Sequence, residues 1–149
     1  MSFPICKPFD ELEAGELYRI LQARANVFII EQTCIYPDCD DKDYEAQHMS
    51  LWDSGQLAAY CRILPAGVSY SNYCSIGRVL STAPFRGQGY GRAVMEYAIE
   101  YCTQHFTHDI KISAQCYLEK FYQSLGFESV GESYLEDDIP HIAMIRPKN

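Results

Sequence analysis

Apolar residues recur along this chain with two periods, and each change of period marks an element. Leu17, Leu21, Ala25 and Phe28 share one helical face, widened by Tyr18 and Ile20. Asp10, with Glu13 three residues on, reads as the start of that helix, which ends near Phe28. Before it, residues 5–8 read as a short edge strand. After it, residues 29–34 lead into an acidic loop. Residues 47–52 and 56–64 read as a hairpin around Asp53-Ser54-Gly55, and Pro65-Ala66-Gly67 closes it. Residues 73–80 form the next strand. Ala93/Val94, Tyr97/Ala98 and Tyr101/Cys102 then return at helical spacing. Ile110 and Ile112 alternate with Lys111 and Ser113 in a strand over 109–114. Leu118, Phe121, Tyr122 and Leu125 follow on one face of a short helix, with Gly126 as its stop. Residues 127–131 and 142–146 are the last strands, with a loop from Tyr134 to His141 between them. This order predicts a mixed α+β sheet with a helix on each face.

Composition narrows the class. A chain of 149 residues is expected to form one domain, 1–149. The start, Met-Ser-Phe-Pro-Ile-Cys-Lys-Pro, has no signal-peptide core. No apolar run approaches the ~20 residues of a membrane span. The seven cysteines are odd in number and lack paired C-x-x-C spacing. They read as reduced thiols of a cytoplasmic protein with no metal site. Twelve Lys+Arg against 20 Asp+Glu give a net charge of −8, without a basic run, which argues against nucleic acid.

The charge is unevenly spread. Between Ser54 and Met95 there is no carboxylate, only Arg62, Arg78, Arg86 and Arg92. An acidic protein that clears acids from one segment has reason to bind an anion there, although a buried sheet would also exclude them. The acidic loop 38–45 invites a calcium reading. The pattern fails: Lys42 takes the fifth position, Asp43 the sixth in place of glycine, and Met49 the twelfth. A solvated loop and a wall attracting a cationic amine both remain open for it.

Within the carboxylate-free segment, a strand leads through Arg86-Gly87-Gln88-Gly89-Tyr90-Gly91-Arg92 into a helix. Glycines let backbone N–H groups crowd together at a helix's positive end, which is how proteins hold phosphate. Neither the P-loop string nor the dinucleotide fingerprint is present. What fits is Arg86-x-x-Gly89-x-Gly91, which resembles the acetyl-coenzyme A loop of the GNAT superfamily of N-acetyltransferases. Further strings carry the resemblance to its ElaA family: residues 27–34 (VFIIEQTC), Tyr36-Pro37-Asp38-x-Asp40 with Asp43 and His48, Ile76-Gly77-Arg78-Val79 and Ser113-Ala114-Gln115. Phe121-Tyr122-x-x-x-Gly126-Phe127 and Tyr134-x-Glu136-Asp137-x-Ile139-Pro140-His141-x-x-Met144 complete it. Two residues depart from the pattern: Asp138 stands where glycine is expected, and Gln115 near where many members have asparagine.

The resemblance implies a GNAT-like central sheet, mixed and mostly antiparallel, with helices on both faces. It also implies an acyltransferase using acetyl-coenzyme A as co-substrate on a small amine or basic peptide group. In such a protein, backbone near Val79 and Leu80 binds the pantetheine arm like a strand partner, and an N–H there polarises the thioester carbonyl. The loop holding Arg86, Gly87, Gln88, Gly89, Gly91 and Arg92 takes the diphosphate, and Gln115 contacts the coenzyme. Side-chain roles for Arg86 and Arg92 stay open between ligand contact and solvent exposure. Tyr122 matches the superfamily's acid for the leaving thiolate, although its spacing alone fits a packed core aromatic. The strand over 73–80 offers no carboxylate as a base, leaving Glu31, His48, His141 or a water chain. The alternative is a non-catalytic acyl-coenzyme A sensor, which needs the glycine loop but not Tyr122. The amine's identity, the acyl length and the oligomeric state, a homodimer included, are not set by the sequence.

Overall fold

Residues 57–64 hold a single charge, Arg62, and they form the central strand of the protein. The structure, a computed structural model, describes residues 3–148. Met1, Ser2 and Asn149, the ends of the expected domain 1–149 and, for the first two, of the segment read for a signal peptide, lie outside them. Every residue of β3 (Gln56–Leu64) after Gln56 is buried. β3 pairs antiparallel with β2 (Gln47–Asp53) on one side and β4 (Ser75–Ser81) on the other, and β1 (Ile5–Pro8) lies beyond β2. Alternation along β3, reset by a bulge at Ala58 where Leu51 pairs with Ala59 but Trp52 with Leu57, divides the core in two. Ala59, Cys61 and Ile63 pack with Val94, Met95 and Ala98 of α2 (Tyr90–His105). Leu57 and Tyr60 pack with Ile20 and Ala23 of α1 (Ala14–Arg24). The expected helix on each face of the sheet is therefore present. No helix among the described residues is long and apolar enough to cross a membrane.

The start of α1 differs from the sequence reading. Asp10 sits in a separate 3-10 turn, Phe9–Glu11, closed by Leu12 N–H donating to the Phe9 carbonyl at 3.1 Å. Glu13 is the cap, and its N–H donates to Glu16 Oε1 at 3.1 Å. At its other end the coil does not stop near Phe28. It widens into a π-helical turn, Ala25–Glu31, followed by an i→i+5 bond from Cys34 N–H to the Ile29 carbonyl at 3.0 Å. The β-branched and aromatic run 27–30 lowers helix propensity, which is why the pattern reads as an end.

A second antiparallel sheet has the order β5 (Ile110–Gln115), β7 (Ile139–Arg146), β6 (Glu128–Glu136). The two sheets touch through a parallel rung. Cys74 bridges Ile110; Lys111 N–H donates to the Cys74 carbonyl at 2.9 Å, and Cys74 N–H to the Asp109 carbonyl at 3.2 Å. Beyond this rung, among the described residues, β4 and β5 are not paired, and they part.

The expected loop from Tyr134 to His141 is instead a hairpin. β6 and β7 run on to Glu136 and Ile139, joined through Asp137-Asp138 at φ 50° and 62°. Two consecutive left-handed residues make a tight turn whose twist suits a hairpin. This accounts for the glycine expected at 138; aspartate is one of the few other residues that visit this region. Gly131, at φ 77°, does not end β6 but sits in an irregularity between Val130 and Tyr134.

Candidate active site

The outer edge of β4 is shaped by a bulge. Tyr60 pairs with Leu80 and Arg62 with Gly77, so β4 spends three steps where β3 spends two. Arg78 absorbs the extra residue at φ 51°. A bulge of this kind bends a strand and re-aims its backbone groups. Where β4 and β5 part lies a cleft of about 450 Å³. Val79 and Leu80 form one wall, Ile112, Ser113 and Gln115 of β5 the other. Val27, Phe28 and Glu31 of the π-helical turn close one end.

Tyr122 reaches this cleft from α3 (Glu119–Gln123), which Gly126 stops at φ 95°. Its ring packs edgewise on Phe121 and Phe127, with centroids 5.2 and 5.8 Å away. The side chain is 7% exposed, and burial pushes its phenol well above the ordinary tyrosine value. Among the described residues its hydroxyl has no hydrogen-bond partner. Tyr122 is thus a packed aromatic that also lines the cleft.

The glycine loop stands at the end of β4. Gly87 and Gly89 have φ of 75° and 85°, and Gly89 caps α2. A Cβ on Gly91 would lie 3.1 Å from Ser81 Oγ. Of the loop, Arg86 lines the cleft; Gly87, Gln88, Gly89, Gly91 and Arg92 do not. Arg86 donates to Glu31 at 2.6 Å. Arg92 turns away, donating to Ser124 Oγ at 2.9 Å beside a separate shallow hollow.

Arginines and the acidic loop cancel one another at Asp38, Asp40 and Asp43, which corrects both sequence readings at those three residues; Asp41 and Glu45 stay exposed. Arg24, fully enclosed, donates from Nε to Asp38 at 2.8 Å and from Nη1 to Asp43 at 2.6 Å. Arg62 holds Asp40 through two 2.7 Å bonds and Asp43 through one of 3.1 Å. Arg78 Nε lies 2.8 Å from Asp38 Oδ1, an ion-pair distance without hydrogen-bond alignment, and its Nη2 donates to the Asp38 carbonyl at 3.0 Å. Tyr36 completes the group, donating to Asp38 at 2.6 Å. Burial pushes the carboxyls of Asp40 and Asp43 up. Hydrogen bonds and charge from Arg62 and Arg24 outweigh it and hold both below the usual carboxylate range. Loop 38–45 is thus neither a solvated run nor an amine-attracting wall at Asp38 and Asp43. Two of the four arginines expected for an anion, Arg62 and Arg78, are already neutralised.

Each base candidate now has a place. His48 is corrected: it is buried beneath the cleft, not on it. Its Nε2–H donates to the Asp43 carbonyl at 2.9 Å, and its Nδ1 accepts from Tyr60 at 2.7 Å. Burial lowers its pKa, so it stays neutral. Glu31 lines the cleft but is paired with Arg86. His141 lines the cleft, Nδ1 bonded to the Ile139 carbonyl at 2.7 Å and Nε2 lying 3.5 Å from Glu136 Oε2. Gln115 spans the cleft to donate to Gln32 at 3.2 Å. Sequence reasoning did not single out Gln32, Tyr36, Ser113 or Glu136 as cleft residues. For Ser113 the signal was its period-2 placement with Gln115, the register partner of His141; Glu136 carried none.

Known proteins share this sequence pattern and fold. The model of the acetyltransferase (GNAT) domain matches residues 22–146. Protein ElaA of Escherichia coli is 40% identical over 140 residues, covering 92% of this chain and 91% of its own. A UPF0039 protein of Schizosaccharomyces pombe is 38% identical over 143 residues, covering 94% and 93%. The crystal structure of E. coli ElaA superposes with a TM-score of 0.90 over 97% of this chain and 99% of its own. That of an acyl-CoA N-acyltransferase from Pseudomonas aeruginosa, 38% identical, does so at 0.89 over the same shares. With the family match, the sequence identity and the superposition in agreement, the chain belongs to the GNAT acetyltransferase family, in the group that includes ElaA.

Proposed function

We propose that this acyltransferase moves an acetyl group from acetyl-coenzyme A to a primary amine of a small molecule or peptide, with Tyr122 as general acid. One observation carries the reading: the unpaired edge of β4 and the buried phenol of Tyr122 open onto the same cleft. The residues present fit the coenzyme. Val79 and Leu80 offer unpaired strand backbone to an amide-bearing arm. At the end of that strand, Gly87 and Gly89 take left-handed φ values, and the leading N–H groups of α2 have no intrahelical acceptor. A thioester donor held there would bring the activated acyl group. Backbone amides of the bulge polarise a carbonyl set against them. The desolvated Tyr122 stays protonated at neutral pH and gives its proton to the departing thiolate sulfur. The arginines contribute less than their number suggests, since Arg86 is shared with Glu31 and Arg92 faces elsewhere. All seven cysteines are free thiols, which agrees with a reducing, cytoplasmic setting.

The test is amine-dependent release of coenzyme A across a panel of amines. Tyr122→Phe should bind the coenzyme as the wild type does and turn over roughly 10²–10⁴-fold more slowly. Unchanged turnover would remove the acid role. Coenzyme binding with no release for any amine would favour the non-catalytic acyl-coenzyme A sensor.

A further inference from the structure

Acyl transfer needs a second proton carrier, because an alkyl ammonium cannot attack until it loses a proton. We infer that His141 Nε2 takes that proton, with Glu136 as its positioning partner. The inference rests on the acyltransfer reading and adds the base which that reading leaves open.

The tautomer follows from the geometry. A carbonyl oxygen can only accept, so the 2.7 Å contact between His141 Nδ1 and the Ile139 carbonyl places a proton on Nδ1. The lone pair of the neutral ring is then on Nε2, which lies 3.5 Å from Glu136 Oε2 without hydrogen-bond alignment. Glu136 is itself held: Ser113 donates to its Oε1 at 3.2 Å, and the Ser113 hydroxyl is also bonded to that of Tyr134. The Tyr134 ring stacks on the imidazole with centroids 6.3 Å apart. Nδ1 is thus fixed by backbone, the ring plane by Tyr134, and a carboxylate waits for the imidazolium. This is the arrangement that makes a histidine a directed base.

The other candidates are committed elsewhere. Glu31 is 2.6 Å from Arg86. His48 has both nitrogens bonded and does not line the cleft. Asp137 and Glu136 line it, but carboxylic acids as a class, near pKa 4, lie about six units below an alkyl ammonium. Imidazole lies about four below it. The groups that surround His141 are Glu136 and Tyr134 from β6 and its register partner Gln115 from β5. Lining the same cleft from other elements are Glu31 with Arg86, Cys34, Tyr36, Arg78 and Tyr122.

The protons balance. One leaves the ammonium for Nε2, directly or through one water, and passes from the imidazolium to bulk solvent. The amine nitrogen then bonds to the acyl carbon as the carbon–sulfur bond breaks. The proton that nitrogen sheds as the amide forms replaces the one Tyr122 gives to sulfur.

Two measurements test this. In ring-nitrogen NMR of the purified protein, neutral His141 should carry its proton on Nδ1. The Nε2–H tautomer overturns the assignment. In kinetics, His141→Gln should keep coenzyme binding and the melting temperature. It should lose the acid limb of the kcat/KM profile and roughly 10²–10⁴-fold in rate. Glu136→Gln, at a half-exposed position, should fold normally and lower kcat with the KM for coenzyme A unchanged; an unchanged kcat removes Glu136 as positioning partner. If the wild type turns over and His141→Gln matches it in rate and profile, His141 alone is removed. If the wild type is silent toward every amine, the acyltransfer reading falls and takes this role with it.

Discussion

Arg24 has no solvent exposure, and its guanidinium is met by two carboxylates and one carbonyl. A charge so enclosed stabilises the fold only while its partners remain, because removing one side strands the other in low dielectric. Arg24→Met should destabilise the protein by ~3–5 kcal/mol, seen as a fall in Tm on the order of 10 °C. An exposed arginine such as Arg19 changed the same way should move Tm by no more than about 1–2 °C. At this scale the sequence is least legible. Asp38, Asp40 and Asp43 look like one acidic run, and their partners lie 14 to 40 positions away on three other elements. Nothing local separates a solvated aspartate from one that closes a buried network.

Elements were more legible, and the misses have local causes. The glycine loop followed by a helix was readable because backbone conformation itself demands the residue type. At Gly89, φ of 85° opens α2, and a side chain there costs about 1–2 kcal/mol in backbone strain. Gly89→Ala should therefore lower Tm by several degrees and weaken coenzyme binding, read by thermal shift with and without coenzyme A. The β6–β7 hairpin was unreadable past Gly131 because all nine residues of β6 are exposed. A strand with no buried side offers no alternation to detect, and its turn carries Asp138 in place of the usual glycine. The cleft walls at Val79, Leu80 and Tyr122 were found through motif resemblance. Periodicity alone would have left Tyr122 in the core, where most of its ring is.

For the whole molecule, the net charge of −8 conceals a region in which three arginines and three aspartates cancel. That balance depends on pH. Asp40 and Asp43 titrate lower in the folded protein than in the unfolded chain. Their contribution is therefore complete above about pH 4 and is lost as pH falls below it. Thermal melts should show this as a Tm that holds from pH 7 to about 5 and drops steeply below 4. Asp40→Asn should start from a lower Tm and show a shallower drop. One further consequence belongs to the wide coil at Ala25–Glu31. It continues α1 and reaches Cys34, whose thiol lies 3.7 Å from the Asp137 carbonyl on the opposite sheet. Its residue count is a length standard. Deleting one residue anywhere in it would restore α spacing and swing everything downstream by about 100°. Scanning by replacement would find Val27 and Phe28 sensitive through their packing and pass over exposed Asn26 and Ile30, while scanning by single deletions would find the segment intolerant from end to end.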